Sequence, residues 1–383
     1  MLLYTDAIEH LIYNAQAGNN EKEVRDLRQA TVNAYRQVCF EFDWQYYWTQ
    51  YRQILEAPYA TGTVVYDHTG GASERLLTLS GGTFPTNAKF YRLKIGNVVY
   101  PIYDRLSGTT AQLDEFVNPG ADVSSTAYTV FRSEYALPSN FRRIADVYSE
   151  SGGFETGFIS PSEWLRMERV PVSGGTVIRW TILPDPKIPG QMQLVVDPYP
   201  SAATTLDFIY QRSARPIRLT GFESSSKAGT VSASAAGTAV TGSGTAFTAS
   251  MVGSFIRIGD ATYAPTGNGG DHPYVEQRQI VSYTSATSVS VYPAFTYTHS
   301  AAKYLVADPL DMWQGMFQAF LRAVEVELAI SRKGAAALER GTALYNAAIA
   351  KARENDASIV AQRVAERGKE RAVGEGYTVS LDD

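Results

Sequence analysis

The first fifty residues place apolar side chains at helical intervals. Ile8, Leu11, Ile12 and Ala15 form one stripe; after AGNN, a second runs through Val24, Leu27, Thr31, Ala34, Val38 and Phe42, about 3.6 residues apart. Asn20 to Glu23 has the form of a capping box, so the pattern predicts an antiparallel helix pair whose second member runs on into FDWQYYWTQY, Phe42 to Tyr51. From Gly62 the period changes to two. FYRLKIGNVVYPIY, Phe90 to Tyr103, alternates its apolar positions, and Gly, Asn, Pro and Ser clusters separate short antiparallel strands as far as YTVFRSEYALP, Tyr128 to Pro138. SPSEWLRMERV, Ser160 to Val170, carries a Ser cap, a Pro at the first helical position and Glu163 to close a capping box, and predicts a short helix. Strands divided by Pro-rich turns return from Trp180 to Ile217, and Gly229 to Ala307 reads as β throughout.

The last third is helical. DPLD, Asp308 to Asp311, reads as an N-cap with Pro at the first helical position, and Trp313, Phe317, Phe320, Leu321, Val324 and Leu328 follow as a strong stripe. After a break at Lys333-Gly334 comes an Ala-rich helix whose slim face is Ala337, Gly341, Leu344, Tyr345, Ala348 and Ile349. From Asn355 the chain is charged and ends in Gly-spaced sequence, the composition of a segment that orders on binding a partner.

Two β segments carry the same order of signals. One opens with Gly62-Thr63-Val64, passes through LTLSGGTF (Leu77 to Phe84) and ends on Tyr128-Thr129-Val130; the other opens with Gly229-Thr230-Val231, passes through VTGSGTAF (Val240 to Phe247) and ends on Tyr304-Leu305-Val306. Thr83 and Phe84 match Thr245 and Phe247, one aromatic after a tight glycine turn. The run GTAVTGSGTAFT, Gly237 to Thr248, can bury little and suits a lean outer hairpin. The fold expected from these elements is α+β: a helical framework, made of the N-terminal helix pair and the long C-terminal helices, holding two inserted small antiparallel β-barrel or sandwich modules. The corresponding boundaries are 1–55 and 308–355 for the helical core, 62–135 and 229–307 for the modules, 136–228 for a mixed framework segment and 356–383 for an extended tail.

Composition narrows the chemistry. A 44% apolar and 19% charged chain has the balance of a globular protein, and 24 tyrosines suit surfaces that meet other protein. The lone Cys39 leaves no internal disulfide and reads as a core residue. No apolar run reaches the ~20 residues that span a bilayer, and the acidic N-terminal stretch does not resemble a signal peptide, so a cytoplasmic site of synthesis and no membrane partner are expected. A formal net charge of −5 argues against a tight nucleic-acid grip. His10, His68, His272 and His299 lie far apart without metal-ligand spacing, and read as solvated. TGNGGDH, Thr266 to His272, lacks the flanking elements of a phosphate cradle, and Thr241-Gly242-Ser243-Gly244 lacks the spacing of a nucleophile elbow. Asp185, Asp207, Glu163 and Glu276 are scattered, although folding could join two of them into a glycosidase-like pair. No catalytic, cofactor or metal site is expected.

Several pieces together resemble the head-to-tail adaptor, or connector-ring, proteins of tailed bacteriophages. They are the helix pair ending in FEFDWQYYW; ALPSNFRRI at Ala136 to Ile144; the W-x-I-L-P-x-P…G-x-x-x-L-x-V-x-P-x-P…F-I-Y series from Trp180 to Tyr210; and GTAVTGSGTAFT…FIRIG followed by DPLDMW and long helices. The resemblance covers most of the chain in element order; larger size and the twin β modules depart from compact members. It implies a non-enzymatic virion protein of the neck, assembled in the host bacterial cytoplasm, with about twelve copies in a ring below the portal. Such a ring passes double-stranded DNA without reading its sequence, and meets a tail nozzle or hub and possible tail fibres. The resemblance carries portal contact onto Arg363, Val364, Arg367, Tyr377, Val379 and Leu381. Subunit contact is expected at Trp44, Tyr47, Trp48, Ala337, Gly341 and Tyr345. The alternatives are another virion component (tail tube, baseplate or decoration protein) and a glycan-binding or glycan-cleaving protein.

Overall fold

The computed structural model describes residues 2–15, 21–69, 74–149, 157–166, 173–266, 271–332 and 335–374. Two compact units divide the chain: the continuous segment 48–212, and a unit built from both ends, residues 1–47 and 213–383.

In the two-ended unit, α1 (Tyr4–Ala15) and α2 (Glu21–Glu41) share one apolar core with two helices from the far end of the chain. The α2 stripe buries Leu27, Thr31, Ala34 and Val38, as its spacing predicts. The helix stops at Glu41. A 3₁₀ turn, Gln45–Tyr47, follows it in place of the expected extension, because Trp44 and Tyr47 turn inward to fill the core.

Among its described residues, the regular structure of the continuous unit is strand but for one short helix and a 3₁₀ turn. Its first strand is β1 (Trp48–Leu55), so residues 48–55 are sheet and not helix. A seven-stranded sheet follows from β2 (Thr63–Asp67), β3 (Leu76–Ser80), β4 (Arg92–Ile95), β5 (Val98–Arg105), β6 (Thr110–Leu113), β7 (Val123–Thr126) and β8 (Tyr128–Phe131), in the order β7-β2-β3-β6-β5-β4-β8. Ala127 alone separates β7 from β8, which pair with β2 and β4 at the two ends of the remaining order, so the bent last strand closes the sheet on itself. The remaining strands are β9 (Glu134–Ala136), β10 (Phe141–Ser149), β11 (Gly157–Phe158), β12 (Gly174–Gly175), β13 (Arg179–Pro184), β14 (Met192–Asp197), β15 (Tyr199–Pro200) and β16 (Thr204–Arg212), with α3 (Pro161–Arg166) between β11 and β12. They form the sheets β1-β16-β10 and β11-β13-β14-β9 and a β12-β15 pair over a core that includes Leu55, Tyr135, Trp180, Leu194 and Phe208. Ser160 Oγ accepts the Glu163 amide at 3.3 Å and caps α3, which begins on Pro161.

The two-ended unit contains the second seven-stranded sheet: β17 (Thr230–Ala233), β18 (Ala239–Ser243), β19 (Phe255–Ile258), β20 (Glu276–Ser285), β21 (Ser288–Tyr292), β22 (His299–Ala302) and β23 (Tyr304–Ala307), followed by α4 (Phe317–Arg332) and α5 (Ala335–Gly374). Its order, β22-β17-β18-β21-β20-β19-β23, repeats that of the first sheet strand for strand. The details repeat as well. The sheet bulges after Ile102 in β5 and after Ile280 in β20. Phe84 and Phe247 are buried, their amides bonded to the carbonyls of Gly108 and Ala286. Gly62 (φ +83°) and Gly229 (φ +76°) sit where a Cβ would come within 1.9 and 2.1 Å of the carbonyl oxygens of Ser80 and Ser243. Within GTAVTGSGTAFT it is the backbone of Ser243 and Gly244 that Gly229 crosses, and at Gly242 a Cβ would stand 2.1 Å from the Thr245 side-chain hydroxyl.

The expected α+β architecture of a helical framework with two small insertions is therefore corrected. Among the described residues strand accounts for 37% and helix for 27%, with five helices and large curled sheets. Short, bulged, Ser/Thr-rich strands carry few apolar residues each, so sequence weight falls on the long helices although strands dominate.

One buried ion pair joins the helices to the barrel inside the two-ended unit. Arg257 of β19 is fully buried and bonds Asp6 of α1 through both terminal guanidinium nitrogens, at 2.6 and 2.7 Å. Its Nε donates to Gln277 at 2.8 Å, and its guanidinium lies 4.4 Å from the Tyr274 ring centre. The Leu3 amide adds a third bond to Asp6 at 2.9 Å. Asp308, read from sequence as the cap of the last long helices, does other work: its carboxylate collects the amides of Arg218 and Leu219, the Ser254 hydroxyl and Arg215. The helix α4 starts at Phe317, after a 3₁₀ turn Gln314–Met316.

Cutting one partner out of a buried pair strands the other without water. Asp6→Asn or Arg257→Met is expected to lower stability in urea unfolding by about 3–5 kcal/mol, whereas Asp6→Leu combined with Arg257→Met loses less than the sum of the singles. In the same assay Gly229→Ala is expected to cost about 2 kcal/mol or more, and Gly96→Ala about 1 kcal/mol, because Gly96 shares the positive φ but has nothing within 4 Å.

Candidate assembly surface

The helix α5 is forty residues long, roughly 60 Å at 1.5 Å per residue. One stripe faces inward: Tyr345, Ile349, Ala352 and Asp356 are buried, and Gly341 lets the helix approach Val326 of α4, where a Cβ would meet the Val326 methyl at 3.4 Å. Three polar contacts fasten this stripe. The Tyr345 hydroxyl donates to Glu41, Arg353 bonds the same carboxylate at 3.1 Å while covering the Phe42 ring at 5.2 Å, and Asp356 accepts the Gln45 amide with both oxygens at 3.2 and 3.1 Å. Burial pushes the Asp356 carboxyl above its usual range, against the Gln45 amide that lowers it. Burial, then the bond to Glu41, pushes the Tyr345 hydroxyl up.

A second stripe runs along the opposite side. Ala336, Arg340, Ala343, Ala347, Ala350, Glu354 and Ala357 are all exposed, and their alternating steps of four and three are the heptad spacing by which one helix meets another. Five of the seven are alanine, so a partner helix could approach closely. Leu344, 40% exposed, lies beside this stripe.

The residues expected to make subunit contacts separate into two groups. Trp44 and Tyr47 are in the core, with Trp44 Nε1 donating to the Val38 carbonyl at 2.9 Å and the Tyr47 hydroxyl to the Asp311 carbonyl at 2.7 Å; Tyr345 is buried as described. These three have no surface left for a neighbouring copy. Trp48 is half-buried on β1 beneath the Arg143 guanidinium at 5.0 Å, and Ala337 and Gly341 are partly covered on α5. Of the portal-contact residues, Arg363, Val364 and Arg367 lie on α5, which is helical to Gly374 where sequence suggests an extended tail; Tyr377, Val379 and Leu381 fall outside the described residues. The outward alanine stripe is the feature sequence reasoning missed. Its signal was the heptad step from Ala336 to Ala357, hidden because alanine contrasts weakly with polar neighbours.

The polar residues considered for chemistry are bound into the fold. Asp207 forms a bidentate pair with Arg52 at 2.8 Å on each arm, and Asp185 accepts the Lys187 amide at 2.8 Å. Glu163 sits on α3. His299, expected to be solvated, is instead buried against Glu276, its Nε2 at 2.8 Å. Glu276 also accepts Arg278 at 2.6 Å and the amides of Thr296 and Tyr297 at 2.8 and 3.2 Å. Two of these bonds, to the Thr296 and Tyr297 amides, hold the loop between β21 and β22, and the others tie it to Arg278 of β20 and His299 of β22. His68 shares a 3.1 Å bond with the Tyr66 hydroxyl, His272 stacks on Tyr263 at 4.2 Å, and His10 is exposed on α1. Cys39 is buried. Among the described residues no group of three His, Cys, Asp or Glu side chains could hold a metal ion, and no helix is long and apolar enough to cross a membrane. No family profile, curated protein or solved structure matches the chain.

Burial pushes the Glu276 carboxyl up, but the bonds from His299, Thr296 and Tyr297 outweigh it and hold the group at about 2. The sign follows from linkage: a depressed carboxyl stabilises the fold above its unfolded value and loses that contribution as pH falls through the folded one. Thermal unfolding between pH 5 and 2 (approximate limits set by that linkage) is expected to show a loss on the order of 3 kcal/mol from this site. In Glu276→Gln that part of the acid sensitivity is absent and stability at neutral pH is lower.

Proposed function

We propose that this chain is a structural subunit of a tailed-phage neck: a head-to-tail adaptor that assembles as a ring beneath the portal, joins head to tail and surrounds the DNA path. The observation that carries this reading is the exposed alanine stripe of α5, set opposite the stripe that fixes the helix to its own core. A helix with two interfacial faces, one satisfied within the chain and one not, suits side-by-side packing of identical copies around an axis. The commitment of Glu276, His299, Asp308 and Asp6 to internal bonds favours a mechanical role over a catalytic one. Contact with the portal is assigned to the end of the chain, through Arg363, Val364, Arg367, Tyr377, Val379 and Leu381.

Two experiments test this reading. Ala343→Arg with Ala347→Arg changes only exposed positions of α5, so the circular dichroism and melting temperature are expected to stay at wild-type values while ring formation on portal-bearing particles is lost. Rings formed as well as by the wild type would remove the interface. A chain ending at Ala357 is expected to fold normally but not to bind portal; one ending at Asn355 also loses Asp356 and its bonds to Gln45, and is expected to be less stable by about 1–3 kcal/mol. Portal binding retained by the first truncation would place the contact elsewhere.

A further inference from the structure

The chain passes between its two units only twice, from Tyr47 to Trp48 and from Arg212 to Ser213. Both passages lie at one end of one strand pair. β1 begins at Trp48 and β16 ends at Arg212, and in their antiparallel register Trp48 is the partner of Gln211, so the two crossing chains run side by side, about 5 Å apart. Each is anchored on either side of its crossing. In the continuous unit the β1-β16 ladder ties the two together from Trp48 and Gln211 to Leu55 and Thr204. In the two-ended unit Asp311 grips both: its carbonyl accepts the Tyr47 hydroxyl at 2.7 Å, and its carboxylate accepts the Tyr46 hydroxyl at 3.0 Å and the Arg215 amide at 2.9 Å. What lies between the anchors is short: the Tyr47 to Trp48 peptide on one chain, Ser213 and Ala214 on the other. The end of the ladder also carries a side chain out of balance. Gln211 is fully buried, and neither end of its amide finds a hydrogen-bond partner among the described residues.

We propose that the open end of the β1-β16 pair, at Trp48 and Gln211, is a hinge on which the continuous unit swings as a body, and that the unpaired Gln211 amide lowers the cost of leaving the arrangement around it. Two covalent links at neighbouring points resist stretching and twisting but leave bending about the line through them soft, and a hinge needs only a few element-terminal residues to absorb the change in φ and ψ. An unpaired buried amide destabilises its surroundings, and this one sits on the last pair of the ladder. The ladder and the Asp311 bonds keep the motion out of both units. The barrel of β2 to β8 therefore changes position as a whole, while the second barrel stays fixed to α1 through Arg257 and Asp6. The hinge needs no neighbouring copy and is independent of ring assembly.

The test is double electron–electron resonance on the full chain. The lone Cys39 is buried, so spin labels go to cysteines introduced at exposed positions, with labelled chain diluted in unlabelled chain. Ser124→Cys with Thr241→Cys spans the two units; Gln50→Cys with Ser124→Cys, and Thr241→Cys with Asn346→Cys, stay within one unit each. The distance distribution across the units is expected to be about twice as wide, or more, as either distribution within a unit. Gln211→Met, which puts an apolar side chain of like length in place of the unpaired amide, is expected to narrow it. Equal widths in all three pairs would overturn the hinge. So would a pair at Thr241 and Asn346 as broad as the pair across the units, which would put the motion inside the two-ended unit. A Gln211→Met chain as broad as its parent would overturn the part given to the amide.

Discussion

A charge cannot be left alone in a protein interior, and that constraint organises the two-ended unit. Arg257 has no solvent exposure and emerges from the middle of a barrel strand, so Asp6 must be held opposite it. That fixes α1 against β19 and places Leu3 and Tyr4, whose backbone bonds reach Pro309 and Asp308, at the point where the last barrel strand leads toward α4. Asp308 completes the joint from the other side, gathering residues 215–219 and Ser254 around one carboxylate. Residues from the two ends of the chain are thereby locked together, and the helical core in which α2 packs on α4 and α5 has a fixed base.

The two closed sheets show a second kind of constraint, set by volume. Strand order, bulge positions and the glycine contacts at Gly62 and Gly229 recur in both. Each barrel has a lean corner where the backbone passes within contact distance of itself, and one buried aromatic, Phe84 or Phe247, beside it. Composition follows from that geometry: small residues where chains cross, one large side chain where space opens.

Much of this was legible in the sequence, and the exceptions have physical causes. The stripes Leu27–Val38 and Phe320–Leu328 were readable because a helix with one wet face must repeat near 3.6, and the repeated segments because both meet the same steric corner. The run Phe42–Tyr51 misled because crowded aromatics satisfy either period; Trp44 and Tyr47 enter the core of one unit, while Trp48 and Tyr51 belong to a sheet. Asp308 carried the signature of a helix cap but is claimed by amides some ninety residues away in sequence. The His299–Glu276 bond joins residues from β22 and the start of β20, a proximity only the curled sheet creates. The outward face of α5 was obscured for the opposite reason: alanine gives little hydrophobic contrast, so its stripe appears only once the buried side of the helix is known.

The ring proposed for this chain would depend on α5 meeting its own copies. Cryo-electron microscopy of the full chain added to portal-bearing particles tests it most directly. The predicted result is a closed collar in which each copy's Ala343–Ala350 stripe lies against a neighbour. Single copies bound without lateral contact, or a collar joined only through the barrels with that stripe facing solvent, would contradict it.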